Sequence, residues 1–317
     1  MNADSSVPRS DESAFLVPVR PPFDLWLTVS ALRRLPRSLL YPLVGDELRF
    51  VAALSTGARL LGVHMDSSGA TSHALQCRAL DGPMSDAEIE EARRLVAWML
   101  NVDCDLAPLL ARVEGEEALL ALARRLEGMK PPRFASLWEA FCQIVPFQLV
   151  SLQAAVATLN RFVDALGPRI EHDGQVYLGA PTPEQVVAAE TSQMRACGLS
   201  VAKIQTLRGL AERAIAGELD GAVFERLSDA ESIARLTRLP GIGPWSAQVA
   251  LLRGLGRLSV FPAGDSGATR ALRQLLADSA HPDAEAAALL GRLGEWRGYL
   301  YFMLLGRRLL AAPNEAS

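Results

Sequence analysis

The sequence predicts an α+β first domain, an antiparallel sheet with accompanying helices, followed by an all-α domain. From Phe23 to about His73, short strand-like runs alternate with turn signals. After Lys130-Pro131-Pro132 nearly every segment carries helical periodicity with short connections. The length of 317 residues suffices for two or three domains, each with its own core.

The boundaries read from the sequence are a flexible tail over 1–20, a sheet domain over 21–131, a helical domain over 132–312 and a second tail over 313–317. In the sheet domain the runs FDLWLTVSAL, LRFVAAL and RLLGVHM are separated by Gly45-Asp46, Ser55-Thr56-Gly57 and Ser67-Ser68-Gly69. A helix follows, with Ser85 as N-cap, Glu88 at the capping-box position, and Ile89, Ala92, Leu95, Val96 and Leu100 on one face. The helical domain reads as segments 136–166, 183–196, 201–216, 229–238, 244–255, 267–278, 283–293 and 296–310, with one long loop over 167–182.

Half of the residues are apolar and 21% are charged, the profile of a soluble globular protein. Every apolar stretch is broken by Arg, Glu or Pro before the roughly 20 residues a membrane span needs, and the first residues are polar and acidic. The expectation is a cytoplasmic monomer with no membrane partner. Cys77, Cys104, Cys142 and Cys197 are scattered and His73 is the one histidine close to any of them, so neither a zinc site nor an iron–sulfur cluster is encoded. The net charge of −4 argues against a nucleic-acid partner. Yet Arg235, Arg238, Arg253, Arg257, Arg270, Arg273, Arg292, Arg297, Arg307 and Arg308 crowd the last third. Two readings stay open: a locally basic face, or solvated arginines on the backs of helices.

In the stretch Leu236 to Ala247, LTRLPGIGPWSA, apolar residues end one helix, two glycines permit a tight turn, and Pro244 stands at the first position of the next helix. Glycines at 241 and 243 let a backbone approach closely, and unpaired N–H groups at the second helix's N-terminus suit a phosphate. For Gly-x-Gly alone, a plain connector between helices explains the pattern equally well. Farther on, Phe261-Pro262-Ala263-Gly264-Asp265 leads into a helix from Gly267, where Asp265 fits an N-cap, a role compatible with catalysis. Gly264-Asp265-Ser266-Gly267 also imitates a serine-protease string, but here it opens a helix and lacks a suitably placed histidine.

The whole string LPGIGPWSA, followed by FPAGD, resembles the helix-hairpin-helix DNA glycosylase superfamily. PPFDLWLTVSALRRLP, FQLVSL, PTPEQVVAAE, GLSVAKIQTLRGLA and EWRGY, in that order, are similar to its bacterial 3-methyladenine DNA glycosylase II branch over nearly the whole chain. That resemblance implies a helix-hairpin-helix glycosylase domain acting in base excision repair on double-stranded DNA with a damaged base, in the cytoplasm at the nucleoid. It implies that Asp265 is the catalytic carboxylate, that the amides of Gly241, Gly243 and Ser246 hold a DNA phosphate, and that Leu149, with Gln148, fills the gap left by a flipped nucleotide. It implies that Trp245 and Trp296 line the base pocket, and that the carbonyls of Thr237, Leu239 and Ile242 ligate a structural Na⁺ or K⁺, with no cofactor required. Trp245 stands where bifunctional members carry a lysine nucleophile, so the implied enzyme is monofunctional and acts on alkylated bases. Phe147 replaces the family's glycine before Gln-Leu-Val-Ser, and Val249 and Ser266 stand where a well-known member has pocket tyrosines. A catalytically weak DNA-damage or DNA-structure binder, and a glycosylase for 8-oxoguanine or uracil, are the alternatives.

Overall fold

Strand formation starts earlier than the sequence suggests. Ala14–Pro18 (β1) alternates exposed and buried residues, with Phe15 and Val17 inward, and pairs antiparallel with Ala74–Ala79 (β5). The expected tail over 1–20 thus becomes a strand from Ala14. Residues 1–13 and the expected tail over 313–317 lie outside the described residues, which in this computed structural model are 14–33, 35–65, 73–276 and 281–311.

The run FDLWLTVSAL is corrected from strand to helix: Leu25–Arg33 (α1) buries Leu25, Val29 and Leu32 at helical spacing, and Asp24 accepts the N–H of Leu27 at 2.8 Å. A short apolar run does not by itself distinguish a strand from a buried helix, and here the packing decides. The other two runs are strands. Leu43–Val44 (β2), Glu47–Leu54 (β3) and Gly57–Met65 (β4) complete an antiparallel sheet in the order β1-β5-β4-β3-β2, with Ser55-Thr56 turning β3 into β4. The turn expected at Ser67-Ser68-Gly69 lies outside the described residues. Asp86–Leu100 (α2) starts at a full capping box between Ser85 and Glu88, and buries Ala92, Val96 and Met99.

The boundary at 131 does not separate two bodies. Lys130, Pro131 and Pro132 are buried, whereas a domain linker runs exposed. Ala107–Arg112 (α3) and Glu117–Arg125 (α4) pack on Pro282–Leu293 (α13) and Arg297–Ala311 (α14), sharing a core with Leu300, Phe302 and Leu304, and the Tyr299 hydroxyl donates to the Met129 carbonyl at 2.6 Å. A second core joins the sheet to Leu137–Ile144 (α5), Leu152–Leu166 (α6), Val201–Ile215 (α9) and Pro244–Gly254 (α11). Arg253 of α11, fully buried, donates to the carbonyls of Ala31 and Leu32 at the end of α1 and stacks on Phe134 at 4.3 Å. A charge so placed satisfies carbonyls that the helix end leaves open.

The expected segment 136–166 is interrupted. Pro146 lacks the N–H a continuing helix needs, and the chain passes through a 3-10 turn, Val145–Phe147, before α6 starts at the N-cap Ser151. Segment 183–196 likewise splits into Pro183–Ala188 (α7) and Thr191–Ala196 (α8). The loop expected over 167–182 holds a hairpin, Arg169–His172 (β6) and Gln175–Leu178 (β7), turned by Asp173-Gly174 with φ of 50° and 72°. That is the two-residue turn Asp-Gly favours. β7 lies against β3, where Arg49 Nη1 donates to the Tyr177 hydroxyl at 2.9 Å. Asp229–Leu236 (α10) and Ser266–Leu275 (α12) complete the helices. Among the described residues no helix is long and apolar enough to cross a membrane.

Candidate active site

The turn between α10 and α11 owes its shape to its glycines. Ile242 N–H donates to the Leu239 carbonyl at 3.0 Å and the buried Ile242 side chain anchors the turn. Gly241 has φ of +80°, and a Cβ there would lie 1.9 Å from Oγ1 of Thr206 on α9, so only glycine fits. Gly243 is the N-cap of α11 with Pro244 at the first turn, and a Cβ at Gly243 would meet nothing within 4 Å. The N–H groups of Gly241, Gly243 and Ser246 donate to no other described residue. Gly241 and Gly243 are exposed while Ser246 is buried, and a donor-rich helix start of this kind attracts an anion.

The interrupted segment before α6 lies beside that turn. Gln148 Nε2 donates to the Gly241 carbonyl at 2.9 Å and to Ser246 Oγ at 3.0 Å, so it bolts its own loop to the hairpin. Lys203 Nζ holds the same loop through the Pro146 carbonyl at 3.0 Å, while Phe147 packs half-buried on the core. Between these anchors Leu149 adopts φ of +56° and is 105% exposed. Little burial offsets the cost of holding this apolar side chain in a left-handed conformation.

Asp265 caps α12. Its Oδ1 accepts the N–H of Ala268 at 2.8 Å and its Oδ2 accepts the indole N–H of Trp245 at 3.2 Å. Trp245, on the first turn of α11, thereby joins the glycine turn to the carboxylate. The residue that sequence reasoning placed in the base pocket is thus also the carboxylate's hydrogen-bond donor. Ser266 is exposed beside Asp265, and Val249 is fully buried inside α11.

No hydrogen bond joins Trp296 to Asp265. Trp296 closes a 3-10 turn just before α14 and packs half-buried on the core around Leu300, Phe302 and Leu304, and no ring contact joins it to Trp245. Arg308, which reaches the first turn of α12 beside Asp265, lies twelve residues further along α14, roughly 18 Å along its axis. The sequence places EWRGY in order but does not show which end of a long helix faces the carboxylate. Nor do the candidate residues line the large depression of about 510 Å³ bounded by Trp98, Trp138, Asp220 and Leu255. That depression sits at the end of α11 remote from Trp245.

Proteins described as the HhH-GPD superfamily of base excision DNA repair proteins match residues 144–294. The DNA-3-methyladenine glycosylase 1 of Schizosaccharomyces pombe is 32% identical over 192 residues, which are 59% of this chain and 78% of the relative. The chain belongs to the HhH-GPD superfamily. In fold it is similar to the 3-methyladenine DNA glycosylase from Archaeoglobus fulgidus, with a TM-score of 0.78 at 23% identity over 94% of this chain and all of that one. It also resembles the S. pombe 3-methyladenine DNA glycosylase Mag1 solved in complex with abasic DNA. There the TM-score is 0.52 and the identity 27%, over 65% of this chain and 98% of that one.

In this HhH-GPD chain the arginine-rich last third is not a free basic face. Arg257 pairs with Asp229, Arg273 with Asp283 and Arg292 with Glu116. Arg297 and Arg307 bind the carbonyls of Gly294 and Ala271, and Arg253 is interior. Most of these residues thus hold helices together, which charge counting along a sequence does not reveal. The hairpin carbonyls expected to face a cation are those of Thr237, Leu239 and Ile242. Those of Thr237 and Ile242 accept no hydrogen bond from another described residue.

Proposed function

We propose that this protein is a monofunctional DNA glycosylase that hydrolyses the N-glycosidic bond of alkylated bases, of the 3-methyladenine and 7-methylguanine type, in double-stranded DNA during base excision repair. The observation that carries this reading is the Asp265 carboxylate, fixed through both oxygens by neutral donors one helix turn from a phosphate-binding hairpin. Breaking the bond leaves an oxocarbenium-like sugar. An anion about 4 Å away, at an effective dielectric near 20, stabilises it by about 4 kcal/mol, roughly a thousandfold in rate. The same carboxylate orients or deprotonates the attacking water.

An alkylated base that is already cationic leaves without protonation, so one carboxylate suffices. With Trp245 where a lysine would form a Schiff base, the strand stays uncut. The free amides of Gly241, Gly243 and Ser246 take a backbone phosphate, and Leu149 fills the space of the extruded nucleotide. Trp245 offers a ring face to a cationic base, worth about 0.5–2 kcal/mol. The carbonyls of Thr237, Leu239 and Ile242 would hold Na⁺ or K⁺, which neutralises the turn's oxygen side next to the bound phosphate. The deciding assay incubates methylated duplex DNA with wild type and Asp265→Asn and measures released 3-methyladenine and 7-methylguanine. Release lost in the variant is expected. A wild type that binds the duplex but releases neither base is instead a DNA-damage binder, or acts on 8-oxoguanine or uracil, which oligonucleotides with those lesions decide.

A further inference from the structure

We infer that Arg308 binds a second DNA phosphate, on the side of Asp265 away from the hairpin. Nη2 of Arg308 donates to the Gly267 carbonyl at 2.6 Å, which fixes the guanidinium over the first turn of α12. The point where Gly267 would carry a Cβ lies 3.1 Å from both terminal nitrogens of Arg308 and 3.2 Å from Oδ1 of Asp265. The guanidinium is therefore at most about 6.3 Å from the carboxylate. The two form no ion pair, and Arg308 pairs with no acid among the described residues. The carboxylate takes its hydrogen bonds from Ala268 and Trp245, so no N–H of Arg308 is spent on it.

Arg308 differs in this from Arg257, Arg273 and Arg292, each committed to a carboxylate. Its side chain is exposed, with one N–H used and a fork that suits a phosphate's paired oxygens. The carboxylate then lies between two anion-binding groups: the hairpin amides, linked to it through Trp245, and the Arg308 guanidinium. A strand laid across Asp265 carries a phosphate on each side of the attacked sugar. Two clamps, one on each side, hold C1′ against the carboxylate. A Cβ at Gly267 would sit 3.1 Å from the guanidinium nitrogens, which would have to give by a few tenths of an ångström.

This inference rests on the glycosylase reading above. The test measures binding of a duplex with a central abasic analogue, over a range of salt, by wild type, Arg308→Ala and Arg308→Lys. It repeats the measurement on duplexes with a neutral methylphosphonate at each phosphate flanking the analogue. Expected are about tenfold weaker binding by Arg308→Ala and partial recovery in Arg308→Lys. The slope of log K against log salt should be shallower by about 0.9. One methylphosphonate position should abolish the difference between wild type and Arg308→Ala. An unchanged salt slope, or a difference that survives neutralising each flanking phosphate, overturns the inference. A wild type with no preference for the abasic analogue over undamaged duplex instead overturns the glycosylase reading, whatever Arg308 does.

Discussion

The indole N–H of Trp245 donates to Oδ2 of Asp265 at 3.2 Å, so the helix that begins at the glycine hairpin also orients the carboxylate. Replacing Trp245 by Phe keeps a ring and removes the donor. Loss of a hydrogen bond to a charged group costs about 1.5–3 kcal/mol, or a factor of about 10–100. Single-turnover release of 3-methyladenine at saturating enzyme should slow by that factor, with the melting temperature changed little. An unchanged saturated rate would sink the orienting role.

The two hairpin glycines should respond differently to alanine. At Gly241 the new Cβ meets Thr206 Oγ1 at 1.9 Å, and the φ of +80° strains any side chain. Gly241→Ala should cost about 2 kcal/mol or more and lower the melting temperature by about 4–8 °C. At Gly243 nothing lies within 4 Å, so Gly243→Ala should keep the fold to within about 1 kcal/mol. It should nevertheless weaken duplex binding about tenfold, because the methyl group occupies the space a phosphate needs. Calorimetry and binding titrations on both variants check the pair, and equal binding by Gly243→Ala and wild type contradicts the phosphate site.

Much of this geometry is legible in the residues because the residue type itself fixes it. Gly241, Gly243 and Pro244 dictate a φ, an open approach and a helix start, and Ser85 with Glu88 dictates a cap. Other features depend on partners remote in the chain. FDLWLTVSAL is a helix because α14 and the sheet pack around it, and Lys130-Pro131-Pro132 is interior because α13 and α14 close over the preceding helices. Trp296 precedes α14 and Arg308 lies near its far end, and only the docking of α12 shows that Arg308 is the one beside Asp265.

Leu149 separates stability from function. Its φ of +56° is unfavourable by about 1–2 kcal/mol for a side-chain-bearing residue, and its side chain is fully exposed, with little burial to offset that cost. Leu149→Gly relieves the strain while adding about 0.5–1 kcal/mol of unfolded-state freedom, so the melting temperature should hold or rise slightly. Release of alkylated bases should fall at least tenfold, because nothing then fills the space of the extruded nucleotide. A variant both destabilised and fully active would remove Leu149 from the reaction.

The buried, hydrogen-bonded trio of Tyr41, Glu139 and Gln143 bears on how stability varies with pH. The Tyr41 hydroxyl donates to Glu139 Oε1, and Gln143 Nε2 donates to the same oxygen at 2.8 Å. Burial pushes the Glu139 carboxyl above the usual range, against the opposing pull of those hydrogen bonds and of Arg253. A carboxyl that binds its proton more tightly folded than unfolded lends stability that is complete below the ordinary value of about 4.3. That stability is lost as pH rises through the folded value. The wild-type melting temperature should therefore decline from mildly acidic to neutral pH at constant ionic strength. In Glu139→Gln, which keeps an acceptor for Tyr41 and Gln143 and cannot ionise, the curve should be flatter over the same interval. Parallel curves for the two proteins would mean that Glu139 does not set the dependence.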